Sequence, residues 1–137
     1  MFLDRLLATN QPLVNAAFEL HQSGELLPDT YILDLDMITR NAEAMKAEAD
    51  RNDISLYFML KQLGRNPLVA HRLQDIGFAG AVCVDFREAL TMERNGIRLG
   101  NVGHLVQTPK AAMHEIVSAR PDIMTVYSIQ KAREIGQ

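Results

Sequence analysis

The 137-residue chain holds a single cysteine, Cys83. One cysteine excludes an internal disulfide framework and fits a reducing cytosol. Charge of one sign is also missing: 14 Lys and Arg stand against 17 Asp and Glu, a net charge of -3. The basic residues are scattered, whereas a nucleic-acid footprint needs them gathered on one face. No apolar run approaches the roughly 20 residues that span a bilayer. The opening Met1-Phe2-Leu3-Asp4-Arg5 lacks the basic start and apolar core of a signal peptide. A cytoplasmic location, with no membrane and no nucleic-acid partner, is therefore expected. Low-complexity segments, linkers and internal repeats are absent. The histidine spacing matches no metal motif, and no metal is expected.

What remains is the composition of one soluble globular domain, 47% hydrophobic and 23% charged. Residues 3 to 23 read as helical, with Pro12 where a helix can begin and Gly24 where one can end. Tyr31-Ile32-Leu33-Asp34-Leu35-Asp36 alternates apolar and acidic residues, the pattern of a half-buried strand. Alternation puts Asp34 and Asp36 on its solvated face, and Asp36 can cap the helix that follows over residues 37 to 51. Ile54-Ser55-Leu56-Tyr57-Phe58-Met59-Leu60 is nearly all apolar and predicts a strand buried on both faces, as in a parallel sheet. A helix follows from Pro67, with Asn66 as its cap and Gly77 beyond its end.

Further units repeat this order. Ala81-Val82-Cys83-Val84 is a short strand, followed by a helix through Glu88, Ala89 and Met92 to Gly96. Val102-Gly103-His104-Leu105-Val106 predicts another strand, with its helix starting at Thr108-Pro109. Ile123 to Tyr127 predicts a fourth, with Ser128 capping the last helix. From residue 54 on, strand starts roughly 21 to 27 residues apart give the rhythm of βα units and a parallel sheet. An eight-stranded β/α barrel needs about 250 residues, so four units make half of one. The expected organisation is an N-terminal helical extension over residues 1–28 and an incomplete barrel over residues 29–137. Half a barrel leaves two open sheet edges.

Active residues in such folds lie at the carboxyl ends of strands. That rule selects Lys61 with Gln62 and Arg65, Asp85, Gln107 with Thr108, and Tyr127 with Ser128. The other lysines, 46, 110 and 131, fall on predicted helices. Lys61 alone closes an apolar strand. Partial desolvation there favours the neutral amine that Schiff-base chemistry uses. A lysine that ends a strand by reaching for water is the alternative. Arg65 and the loop around it are able to meet a phosphate or carboxylate, or simply face solvent. The loop lacks P-loop spacing, which argues against a nucleotide. His104, in a predicted buried strand, reads first as a hydrogen-bonded core histidine. Cys83 reads as a small buried apolar residue.

Several of these segments carry a family likeness. The strand-like Tyr31–Asp36 followed by Ile38 and Asn41 resembles the opening of alanine-racemase-like proteins. The apolar segment ending in Lys61 resembles their strand that carries the cofactor lysine. Gly77-Phe78, then Ala81 to Val84 and Glu88-Ala89, resembles their next unit. The likeness covers most of residues 30 to 137, and its order and spacing carry it.

The resemblance is to fold-type III pyridoxal-phosphate enzymes: amino-acid racemases, D-threonine aldolase-like proteins and basic amino-acid decarboxylases. It implies a β/α barrel, pyridoxal 5'-phosphate as cofactor and Lys61 as the residue forming the Schiff base. Arg65, His104, Gln107 and Tyr127 become the further cofactor-pocket candidates. The substrate would be an amino acid or related amine, with an amino-acid racemase activity and a homodimer in the full-length protein. A non-catalytic cofactor carrier, an aldolase or a decarboxylase are the alternatives. The sequence departs from typical alanine racemases: Arg65 stands where they have a tyrosine, and their Tyr-Gly-His run is missing, which weighs against alanine itself. The resemblance also implies phosphate loops, a pyridine-nitrogen partner and an opposing acid/base from later parts of a longer chain. The expectation is a fragment that is inactive alone.

Overall fold

A computed structural model of the protein describes residues 2–136. The chain divides into two compact units, one ending at Ile38 and the other beginning at Thr39.

The first unit is helical. Helices α1 (Phe2–Thr9) and α2 (Gln11–Gln22) fill the segment expected to be helical over residues 3 to 23, with a helix start at Pro12. Asn10 makes the break. It is buried, and its side-chain oxygen accepts from the Leu13 amide at 3.1 Å, capping α2 with Pro12 in the first turn. Its side-chain nitrogen donates to Asp34 Oδ2 at 2.7 Å, while Asp34 Oδ1 accepts from the Met37 amide at 2.8 Å.

This overturns the strand expected over residues 31 to 36. Residues 31–34 are irregular, and helix α3 (Leu35–Arg51) begins inside the expected strand. Asp34 and Asp36 are not a pair on a strand face; Asp34 caps and Asp36 lies in the first helical turn. An acidic residue beside apolar ones serves a helix start as well as a strand, and no partner strand adjoins this segment among the described residues.

The second unit is α/β. Strands β1 (Ala81–Cys83), β2 (Leu99–Val102) and β3 (Ile123–Met124) pair in parallel, in the order β1-β2-β3. Helices α4 (Pro67–Ile76), α5 (Phe86–Arg94), α6 (Lys110–Ser118) and α7 (Ile129–Ile135) alternate with them. The α/β class and the parallel order match expectation. The described strands form an open sheet, not a closed barrel.

The segment before Lys61 is not a strand buried on both faces. It joins the sheet through a short run on β1: Phe58 N donates to Gly80 O at 3.1 Å, and Val82 N donates to Phe58 O at 2.7 Å. Among the described residues it has a sheet neighbour on one side only, and burial grows along it from exposed Ile54 to buried Phe58 and Leu60. The third strand is also shifted: β2 ends at Val102, where the expected strand began.

The core is apolar residues from both layers. Met92, Leu99, Ile116, Val69 and Val102 are fully buried, and each such side chain contributes about 1.5–3 kcal/mol. Phe58 meets Phe78 edge-on, with ring centroids 6.4 Å apart. Across the sheet, the Tyr57 ring crosses Gly100 so closely that a Cβ there would lie 2.2 Å from a ring carbon. Tyr57 Oη reaches Asp122 at 3.4 Å, and Arg98 donates to the same carboxylate at 2.8 Å.

Candidate functional site at the carboxyl ends of the strands

Lys61 opens a single 3-10 turn, Lys61–Leu63, directly after the segment paired to β1. The Leu60 carbonyl holds this turn twice, accepting from Leu63 N at 2.9 Å and from Arg65 N at 3.1 Å. To close it, Gly64 and Arg65 both take positive φ, 67° and 57°. Glycine does so freely, but a left-handed arginine costs about 1–2 kcal/mol. Asn66 then caps α4, accepting from Leu68 N at 2.9 Å and Val69 N at 3.4 Å. Gly77 closes α4 with φ 106°. Both ends of this helix are where the sequence puts them.

Lys61 itself is exposed, which corrects the expected partial desolvation. Among the described residues the segment before it has a sheet neighbour on one side only, and its end opens to solvent. The amine makes no hydrogen bond or ion pair among the described residues.

Beside it lies a buried acid. Asp85 caps α5, accepting from Glu88 N at 2.8 Å, and Glu88 Oε2 accepts from Val84 N at 2.7 Å. This is a capping box shifted by one residue, with the glutamate reaching to the residue before the cap. Glu88 is 2% exposed. Arg65 Nε lies 3.9 Å from its Oε2, an ion pair too long for a hydrogen bond. Burial raises the Glu88 carboxyl above the ordinary range, and Asp85 adds to this. The Val84 amide, Arg65 and Lys61 pull it back. Cys83 lies alongside, fully buried, its thiol pushed up to about 12 by burial, then by the charges of Glu88 and Asp85.

A second group gathers where β2 and β3 end. Gln107 Nε2 donates to Gly103 O and to Thr125 O, each at 3.1 Å, and Gln107 Oε1 accepts from Tyr127 N at 3.3 Å. The Tyr127 hydroxyl donates to the His104 carbonyl. His104 is exposed in the loop after β2, which corrects its expected place in a buried strand. Val106 N donates to Val84 O at 3.0 Å and ties this loop to the end of β1. Thr108 does not cap α6 as expected. It is buried, its hydroxyl has no partner among the described residues, and Pro109 stands at the helix start.

The structure thus joins Lys61 and Arg65 to Asp85 and Glu88, and separately joins His104, Gln107 and Tyr127. Both groups lie at the carboxyl edge of one parallel sheet. Glu88 was visible in the sequence only as an acid early in a helix. The Asp85-x-x-Glu88 spacing is the signal that could have singled it out. Among the described residues no group of three or more His, Cys, Asp or Glu could hold a metal ion. No helix is long and apolar enough to cross a membrane.

An exposed, uncommitted primary amine with a guanidinium on the same turn fits an aldehyde cofactor that also carries an anionic group. Gln107 fits such a group less well, since its amide is spent on backbone.

No family model matches the chain. Its fold is similar to part of the crystal structure of D-threonine aldolase from Filomicrobium marinum, with a TM-score of 0.64 and 24% identity over 76% of this chain and 28% of that one. The likeness is one of fold. In sequence the chain is 39% identical over 136 residues to uncharacterized protein YhfX of Escherichia coli (strain K12). That match covers 99% of this chain and 35% of the relative, so the chain spans about a third of the length of the curated relative it matches.

Proposed function

We propose that the chain carries part of the pyridoxal-phosphate site of a fold-type III enzyme that acts on an amino acid or related amine, with Lys61 as the covalent anchor of the cofactor. The observation that carries this reading is the place of Lys61: an exposed, unpaired amine at the carboxyl end of the first parallel segment, on a turn locked by Leu60. The fold likeness to D-threonine aldolase supports it, since aldolases of that kind belong to the group that the sequence resembles.

When bound, the cofactor supplies an electron sink for the carbanion formed at the substrate's α-carbon. The chain's own residues have narrower duties. Lys61 offers the amine and Arg65 a cation for an anionic group. His104 and Tyr127 are pocket candidates on the neighbouring loop, and Gln107 holds that loop in place. An amino-acid racemase remains our reading of the activity, in a cytoplasmic homodimer of the longer protein; aldolase and decarboxylase chemistry share the same anchor.

The test is borohydride reduction of the full-length protein with pyridoxal phosphate, followed by peptide mapping. Label on Lys61, lost in Lys61→Ala, is the expected result. Label at another lysine, or none, sinks the reading. A labelled Lys61 without exchange of the substrate's α-proton would favour a carrier over an enzyme.

A further inference from the structure

The Lys61–Arg65 turn carries a left-handed arginine, and a buried anion lies 3.9 Å from its guanidinium. We propose that Glu88 is a positioning residue whose carboxylate is the counter-charge that holds Arg65, and with it this turn, in shape. The relevance to a cofactor rests on the reading of Lys61 above; the positioning itself does not.

Three observations carry the proposal. Glu88 is rigid: it is 2% exposed, its amide is held by Asp85 at 2.8 Å, and its Oε2 is held by Val84 N at 2.7 Å. The same Oε2 is the atom that Arg65 approaches, at 3.9 Å. Arg65 adopts φ 57° where glycine would be at ease, a cost that an ion pair with Glu88 helps to offset. The groups that face Glu88 are Arg65 and Lys61 from the turn, Asp85 from the helix cap, and the Cys83 thiol from β1.

A plain helix-cap role competes with this, and charge separates the two. Glu88→Gln keeps the shape and an acceptor for Val84 N, but removes the anion. In the full chain without cofactor, Arg65→Gln strands the buried carboxylate and lowers the thermal midpoint by about 4 °C. Glu88→Gln added to it restores at least half of that loss. Additive midpoint losses overturn the proposal. If Glu88→Gln does not fold, Arg65→Lys must keep the wild-type midpoint while Arg65→Gln lowers it; equal midpoints then overturn it. Borohydride trapping is scored separately, so a coupled Arg65–Glu88 pair with no label at Lys61 would sink the cofactor reading alone.

Discussion

Gln107 Nε2 donates to the Thr125 carbonyl at 3.1 Å, so a side chain after β2 fastens the exit of β3. The same amide group also bonds Gly103 O and accepts from Tyr127 N. One residue therefore settles three backbone groups that the short strands leave unpaired.

Gln107→Ala should lower stability by about 2 kcal/mol, because it leaves partly buried backbone groups without partners. Urea unfolding checks this. The midpoint should fall while the slope stays constant. An unchanged midpoint would mean that solvent replaces the side chain without cost.

Gly100 faces the Tyr57 ring with no room for a methyl group. Gly100→Ala should therefore cost about 2 kcal/mol through overpacking. Tyr57→Ala in the same chain removes the clashing ring, so the two losses should sum to less than their parts. Thermal unfolding of the four chains tests this.

The Cys83 thiol should not react with a thiol reagent at pH 8 in the folded chain, and should react fully once guanidinium unfolds it. Its folded value near 12 lies above the ordinary 9, so the neutral thiol is favoured in the fold. That contribution is fully present below pH 9 and is lost as pH rises from 9 toward 12. Rapid modification of the native chain at pH 8 would contradict the burial.

Glu88 titrates in the same sense. Its folded value is raised above 4.5, so its contribution is largest below pH 4.5 and declines as pH rises through the folded value. Glu88→Gln has no such loss. Its stability relative to the parent should therefore rise as pH climbs above 4.5, readable from denaturant midpoints at each pH. A constant difference would remove the titration from the account.

The helix ends around the site were legible because capping chemistry is local: Asn66, Gly77 and Ser128 each do what their neighbours in sequence imply. Strand limits were not. The apolar run from Val102 to Val106 looked like a strand, yet β2 lies earlier and includes Gly100, whose missing side chain makes space for Tyr57. A sequence pattern does not record which ring crosses which glycine. Asp34 was misread for a related reason, since its partner Asn10 lies 24 residues away. In the site, Lys61 stood out by position and Arg65 by the loop it sits on. Glu88 did not, because its ion-pair partner Arg65 lies on another unit of the chain's rhythm.

The sheet order has a kinetic consequence. Phe58 pairs beside β1, β1 beside β2 and β2 beside β3, so each strand docks on the one made just before it. Every such step closes a loop no longer than one βα unit. A chain leaving the ribosome can then add one βα unit at a time to a growing edge. On that route, the turn bearing Lys61 is in place before the strands that complete its surroundings have been synthesised.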